Sequence, residues 1–473
     1  MNDKRTKIVC TLGPASETLP KITQLIRAGM NVARLNFSHG TYAHHRMLIR
    51  NTRAAARKLG VQVALLADLQ GPKVRVGLLP KDGVVLKAGE QAIFRAGAET
   101  MHDEKIPVPY RGLAADVSKG DRILLDDGLI EVEVIRVRGT DIFTEVKVGG
   151  TLTSHKGFNV PTATLHIPNV TKKDLQDLKF AIEQNVDFVA LSFVRTADDI
   201  RAVRRRLMQN ARSKSVKLIA KIEKHEAVKY FDDILHVVDG IMVARGDLAV
   251  ETAAENVPVL QRRMIEACLV AAKPVIVATQ MLDSMIRNPR PTRAEVSDVA
   301  HAVIEHADGV MLSGETATGK YPIPAVKMMA SVIRETEISP YDDLRLTEIR
   351  EKCRSQEEML GEAAVRAACD PQIKGIVVTT ETGRTARFIA RFRPEAPLIA
   401  LCPDSRVSRQ LSLTWGVIPV PVRPMKSLTT VLLNARRAAR ETGIAKRGEK
   451  IALVTGIRVG KPGFTNILEI VIV

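Results

Sequence analysis

Short apolar stretches that alternate with helical segments constrain this chain more than any other feature. The stretches read KIVCTL (7–12), NVARLNF (31–37), VALLADL (63–69), DFVALSFV (187–194), KLIAKI (217–222), GIMVARG (240–246), PVIVATQ (274–280) and GVMLSG (309–314). Most are followed by segments with helical spacing, such as LPKITQLIRAG, DDIRAVRRRLMQ and NVPVLQRRMIEACLVAA. A parallel strand pair needs a crossover of a dozen or more residues, usually a helix. Eight such units predict an α/β fold, a (β/α)8 TIM barrel, which takes about 250 residues. The chain has 473, and the remainder falls into two blocks. Residues 71–162 turn into Gly-rich, short alternating strands (VVLKAGEQAIF, RILLDDGLIEVEVIRV, FTEVKVGG) with no helical period, which reads as a small all-β domain inserted after strand three. Past 340 a new pattern begins with GEAAVRAAC, GIVVTT, PLIALC, VIPVPV and KIALVTG. The expected organisation is therefore barrel over 1–70 and 163–340, insert over 71–162, and a C-terminal α/β domain over 341–473.

Side chains alternate along a strand, so one parity points into the barrel and, near the C-terminal strand ends, toward its mouth. Strand two then delivers Arg34, Asn36 and Ser38 there, and strand five delivers Lys221 and Glu223. Strand three ends with Asp68, strand six with Asp247, strand seven with Thr279, and strand eight with Ser313 and Glu315. A single Lys-x-Glu in a strand reads as a structural ion pair. Six strands that send polar groups to one mouth, where barrel enzymes place their active sites, do not.

Glu223 and Asp247 offer hard carboxylate oxygens suited to Mg2+ or Mn2+, with no His or Cys to recruit zinc. Arg34 and Lys221 offer fixed positive charge for a phosphate or an oxyanion. The backbone of Ala244, Arg245 and Gly246 is placed to present N–H groups to an anion. Two cations, a metal and no nucleophile–base dyad point to phosphoryl transfer or enolate chemistry.

The formal net charge of +17 asks whether the partner is nucleic acid. The positives are spread along the chain and aromatics are 4%, so neither a basic stripe nor a stacking platform is present. Attraction of small anions is the better reading; no specific nucleic acid is expected. No apolar run reaches the roughly 18 residues of a membrane span, and the N-terminus lacks the apolar core of a secretory signal. Five cysteines (Cys10, Cys268, Cys353, Cys369, Cys402) lie far apart with no C-x-x-C pair. A cytoplasmic enzyme without disulfides is expected.

TKIVCTLGPAS, GMNVARLNFSHG, DLQGPKVR, LIAKIEKHEAV, IMVARGDLAVE, VIVATQMLDSM, PTRAEVSDVA and MLSGETATGKYP together resemble pyruvate kinase, in the family's order and from Thr6 to the final TNILEIVIV. The resemblance implies transfer of the phosphoryl group of phosphoenolpyruvate to ADP, giving pyruvate and ATP. It implies Glu223 and Asp247 as ligands of Mg2+ or Mn2+, Lys221 and Arg34 as cations at the phosphoryl group, Gly246 as a backbone contact to substrate, and Thr279 as a contact near the enolate carbon. Arg75, Lys156, Asn36 and His39 look like nucleotide contacts. Asn36, Ser38, Asp68 and the carbonyl of Leu69 match a monovalent-cation site. Family members with Lys at the position of Lys73 tend not to require K+, since an ammonium near Asn36, Ser38 and Asp68 supplies the positive charge itself. A homo-oligomer, a tetramer by resemblance, is implied too.

Gly314–Lys320 matches most of a phosphate-binding loop, but Tyr321 takes the Ser/Thr position and prolines follow, so it is discounted. Thr380, Thr382, Gly383, Arg384 and Thr385 follow GIVVTT and precede a helix; on pattern they fit a phosphate nest and an ordinary helix cap equally well, and the resemblance implies the first, a site for a phosphorylated allosteric effector. A barrel acting on another oxo-acid phosphate, or a polyanion-binding protein on a degenerate scaffold, are the rival readings; the intact metal and lysine set speaks against the second.

Overall fold

The computed structural model describes residues 4–344, 355–460 and 463–473; Cys353 lies outside them. Eight parallel strands close into a barrel: Lys7–Thr11, Met30–Asn36, Ala64–Asp68, Phe188–Leu191, Lys217–Ile222, Gly240–Ala244, Val275–Ala278 and Gly309–Leu312. Most are shorter than the apolar runs that announced them, because the chain leaves the sheet as it reaches the mouth. At the fourth strand Phe193 already sits at φ 55°, and at the seventh Thr279 and Gln280 sit at 73° and 57°, conformations that end a ladder and that side chains with a Cβ seldom adopt.

The crossover helices form where the sequence supplies both an apolar stripe and a cap. Leu19–Ala28 starts on Thr18, whose hydroxyl accepts from Lys21 N, and buries Ile22, Leu25 and Ile26. Lys172–Glu183 begins with a reciprocal capping box between Thr171 and Asp174. The second oxygen of Asp174 accepts from Gly71 N at 3.0 Å, so this cap also fixes the place where the chain departs for the inserted segment.

Inward positions Val9, Val32, Ala64, Leu66, Phe188, Ala190, Ile219, Met242, Ile276, Ala278 and Met311 form one buried cluster that fills the barrel. One member comes from elsewhere: Leu413, from the short turn Leu411–Leu413. It enters at the N-terminal ends of the strands, next to Gly309. The surrounding segment crosses that floor. Gln410 Nε2 donates to Asp187 O and Ser215 O, Ser412 Oγ to Gln62 O, and Trp415 N to Asp308 Oδ1. Lys7 Nζ donates to Val417 O. Each of these barrel residues stands at or just before the start of a strand.

The inserted segment forms a six-stranded sheet in the order 158–159, 122–125, 130–138, 141–148, 91–96, 106–108, and a two-stranded ladder of 84–86 with 150–152. It has its own core around Phe94, Val108, Ile123, Val132 and Phe158. The sequence pattern did not reveal the short helix Leu113–Asp116 or the parallel strand Ile106–Val108 within it. Beyond the barrel a five-stranded sheet runs 417–421, 398–402, 373–379, 450–455, 467–472, the last strand antiparallel, with an apolar cluster on each face.

Replacing Leu413 with Ala removes the side chain that closes the barrel floor and leaves a cavity. The expected cost is about 2–5 kcal/mol, read as a lower melting midpoint of the full chain by calorimetry. An unchanged midpoint would show that the barrel floor does not need this residue.

Candidate active site

The mouth is built from the strand positions that face inward one step beyond the apolar layer. Val32 is followed by Arg34, Leu66 by Asp68, Ala190 by Ser192, and Ile219 by Lys221 and Glu223. Asp68 lies at the centre, with a side chain 1% exposed. Arg34 reaches its Oδ2 from Nε at 2.7 Å and from Nη2 at 2.6 Å. Lys221 Nζ stands 3.5 Å from its Oδ1 and 2.8 Å from Glu223 Oε1. Burial pushes the Asp68 carboxyl up, but the Lys221 ammonium and the Arg34 guanidinium outweigh it and hold the group below the usual carboxylate range. Burial likewise lowers Lys221, and the Asp68 and Glu223 carboxylates overcompensate, so its proton is held more tightly than in a free lysine. Glu223 goes the other way: burial raises it, Lys221 opposes, and Asp247 adds to the rise.

Sequence reasoning missed the side chains that hold this cluster. Lys221 Nζ donates to Ser192 Oγ at 2.7 Å, and that hydroxyl donates on to Leu69 O at 2.7 Å. Arg34 Nη1 donates to Thr11 Oγ1 at 2.8 Å. Phe193 N, aimed by its left-handed backbone, donates to Glu223 Oε2 at 2.7 Å. Arg245 makes a two-pronged contact with Asp298 at 2.6 Å and also donates to Thr279 O. Strand parity would have flagged Ser192, two residues past Ala190, and Thr11, two residues past Val9; nothing in the sequence singles out Phe193.

Several expected placements need correction. Asp247 does not end strand six, which stops at Ala244; it reaches the mouth from the first turn of the helix Arg245–Glu251. Thr279 falls beyond strand seven on left-handed backbone, and its Oγ1 accepts from Gly246 N at 2.9 Å, so these two expected substrate contacts do meet. Glu315 is not open to a ligand. It is buried, and its oxygens accept from Leu282 N and Ser313 N, which makes it a brace for two loops. Lys73 does not turn its ammonium to Asn36, Ser38 or Asp68; it lies 3.2 Å from Asp247 Oδ1 and 3.9 Å from Asp127 Oδ1, because the linker carries it to the far side of the mouth.

Asn36 Oδ1 accepts from Ser38 N and closes the turn after strand two, with His39 N bonded to Asn36 O. Arg75 pairs with Gly157 in an isolated bridge and donates to His155 O, while Lys156 is bound to Asp126 at 2.8 Å. Both linkers of the insert therefore lie side by side. In the C-terminal sheet, Gly383 N donates to Thr380 Oγ1 and Thr385 Oγ1 meets Thr465 Oγ1. Thr382 is exposed. Arg384 pairs with Glu357 at 3.2 Å and lies over the Phe388 ring.

A (β/α)8 barrel with cations and hard carboxylates buried together at its C-terminal mouth, and no nucleophile–base dyad there among the described residues, is built for electrostatic work on a phosphoryl group; it defines a barrel phosphotransferase. The family descriptions "Pyruvate kinase, barrel domain" and "Pyruvate kinase, alpha/beta domain" match residues 3–326 and 358–471. A pyruvate kinase of Bacillus licheniformis is 44% identical over 99% of this chain and 80% of its own length. One of Geobacillus stearothermophilus is 43% identical with the same coverage, and one of Clostridium perfringens is 41% identical over 99% of both chains. The chain belongs to the pyruvate kinase family, enzymes that move a phosphoryl group between phosphoenolpyruvate and ADP and that generally need a divalent metal.

Ser192→Ala deprives Lys221 of one partner and leaves Leu69 O without its donor. A hydrogen bond to a charged group is worth about 1.5–3 kcal/mol, so kcat for pyruvate release should fall roughly tenfold or more while the chain stays folded. Wild-type turnover in this variant would remove Ser192 from the site.

Proposed function

We propose that the reaction runs at the barrel mouth, with residues in the following roles. An oxygen of ADP attacks the phosphorus of phosphoenolpyruvate, the bond from phosphorus to the enolate oxygen breaks, and the enolate carbon takes a proton to give pyruvate and ATP. The observation that carries this reading is Lys221, shared between Asp68 and Glu223 at the centre of a buried and balanced set of charges. Lys221 and Arg34 supply fixed positive charge to the phosphoryl group and the leaving enolate. Gly246 N–H and the Thr279 hydroxyl, already in contact, form the edge that receives the substrate, with the proton delivered near Thr279 through water. Arg75, Lys156, Asn36 and His39 take the nucleotide. The segment 71–162 closes over the site to keep water from the phosphoryl group.

Glu223 and Asp247 fit a divalent ion. Their carboxylates are hard donors, and they are close enough that Asp247 raises the Glu223 pKa. Among the described residues no group of three or more His, Cys, Asp or Glu is placed to hold a metal ion by itself. That suits Mg2+ or Mn2+, which one or two carboxylates hold together with water and substrate oxygens. When bound, the ion neutralises phosphoryl and enolate charge.

K+ is not needed in this reading. Asp68 already carries Lys221 and Arg34, Leu69 O is taken by Ser192, and Lys73 brings a further ammonium to the mouth. Asn36, Ser38, Asp68 and Leu69 are then the remnant of a monovalent-cation site, and Lys73 stands outside it beside Asp247. Thr380, Thr382, Gly383, Arg384 and Thr385 are proposed to bind a phosphorylated effector, which must draw Arg384 off Glu357. Association with another copy is supported by the outermost strand Ile467–Ile472, which exposes Ile470 and Ile472; the tetramer itself rests on the resemblance. Cytoplasmic placement is supported by Cys10, Cys268, Cys369 and Cys402, all free thiols; among the described residues no helix is long and apolar enough to cross a membrane.

Lys221→Met should lower kcat by about 100-fold or more, with phosphoenolpyruvate binding retained. Glu223→Gln should raise the Mg2+ concentration required. Near-normal turnover in the first, or an unchanged Mg2+ titration in the second, would contradict these roles.

Turnover measured without K+ or Na+ should be substantial, with little gain when KCl replaces a salt of a bulky cation at equal ionic strength. A large K+-specific stimulation would show that the positive charges of Lys221, Arg34 and Lys73 do not substitute for the ion.

A further inference from the structure

The helix Arg245–Glu251 carries a second carboxylate, Glu251, four residues after Asp247 and therefore one turn along the same face. Its side chain is wholly buried. Oε1 accepts from Lys224 Nζ at 2.6 Å and from Asn159 Nδ2 at 2.6 Å. Oε2 has no hydrogen-bond partner, with His225 Nδ1 3.7 Å away. Stability alone does not call for such a group, because a buried ion pair is often no better than apolar side chains of equal volume.

The three partners come from three places. Lys224 directly follows Glu223. Glu251 shares a helix with Asp247. Asn159, itself buried, lies in the strand Phe158–Asn159 where the inserted segment returns toward the barrel. The outgoing linker touches the same helix one turn earlier, through Lys73 on Asp247. The two linkers are in turn close together, since a Cβ on Gly157 would stand 3.6 Å from Lys73 Cε.

We infer that Glu251, gripped by Lys224 and Asn159, is a positioning residue that makes the spacing of Glu223 and Asp247 depend on where the inserted segment sits. This rests on the reading of those two carboxylates as metal ligands. With the insert docked, Asn159 and Lys224 hold Glu251 together, and the helix presents Asp247 beside Glu223. With Asn159 withdrawn, Glu251 keeps one partner and the helix is held less firmly. The ion is then bound more tightly by the docked arrangement and, by reciprocity, favours docking.

The test uses the full chain without substrate. Mn2+ is titrated directly by electron paramagnetic resonance, and hydrogen exchange is followed over 71–78 and 155–167 with and without Mn2+. Asn159→Ala and Glu251→Gln should each weaken Mn2+ binding by about tenfold, and Mn2+ should slow linker exchange in the parent but not in Asn159→Ala. The melting midpoint of Asn159→Ala should stay near that of the parent, which separates positioning from general loss of structure. Parent-like Mn2+ affinity and linker protection in Asn159→Ala overturn the inference, and that variant decides alone should Glu251→Gln fail to fold. Glu223→Gln distinguishes the two ways of failing. If it too binds Mn2+ normally, the ligand assignment is wrong; if it loses Mn2+ while Asn159→Ala does not, only the coupling is wrong.

Discussion

The double claim on Asp68, by Arg34 and by Lys221, is the interaction on which the barrel mouth depends. Two cations and the two carboxylates Asp68 and Glu223 share one nearly dry volume, and their formal charges cancel. Burying any one of them alone would cost several kcal/mol, and removing one partner from such a set leaves an uncompensated charge worth about 3–5 kcal/mol. Each member of the arrangement is therefore stabilised by the others. It also explains the braces around it, since Thr11, Ser192 and the Phe193 N–H satisfy the hydrogen-bonding capacity that the charges leave over.

Charge balance alone would not place the groups usefully. That comes from strand geometry, which lifts a polar layer onto an apolar one by advancing two residues along each strand. Ile219 packs in the core and Lys221 stands above it; Leu66 and Asp68 repeat the arrangement beside them. The apolar layer below keeps water out, and low polarity makes each charge above it act more strongly than it would at a surface.

Much of this was legible because periodicity is a local property. The eight strands and the inward parity of Arg34, Asp68, Lys221 and Glu223 could be read from the chain alone. Legibility failed where backbone conformation departs from the strand. Thr279 and Phe193 have positive φ, so alternation does not predict where their groups go, and Asp247 follows helical rather than strand geometry. Glu315 was misplaced because a carboxylate that braces backbone N–H groups looks the same in sequence as one that meets a ligand. Lys73 was misplaced because the path of a linker across the mouth is tertiary information. Strands of two or three residues in the insert, such as Phe158–Asn159, are too short to show a period at all.

The floor of the barrel bears on the order in which the chain matures. Its eighth strand ends at Leu312 and its last helix at Ile338, yet the stopper at Leu413 emerges from the ribosome only much later. Until then the floor lacks that side chain, and the carbonyls of Gln62, Asp187 and Ser215 lack the donors that Ser412 and Gln410 supply. A nascent barrel can assemble its staves and its apolar layer, but the seal at its floor is left to a segment that arrives with the C-terminal sheet. The charged layer has no such wait, since Arg34, Asp68, Lys221 and Glu223 all precede the stopper in the chain and pair with one another.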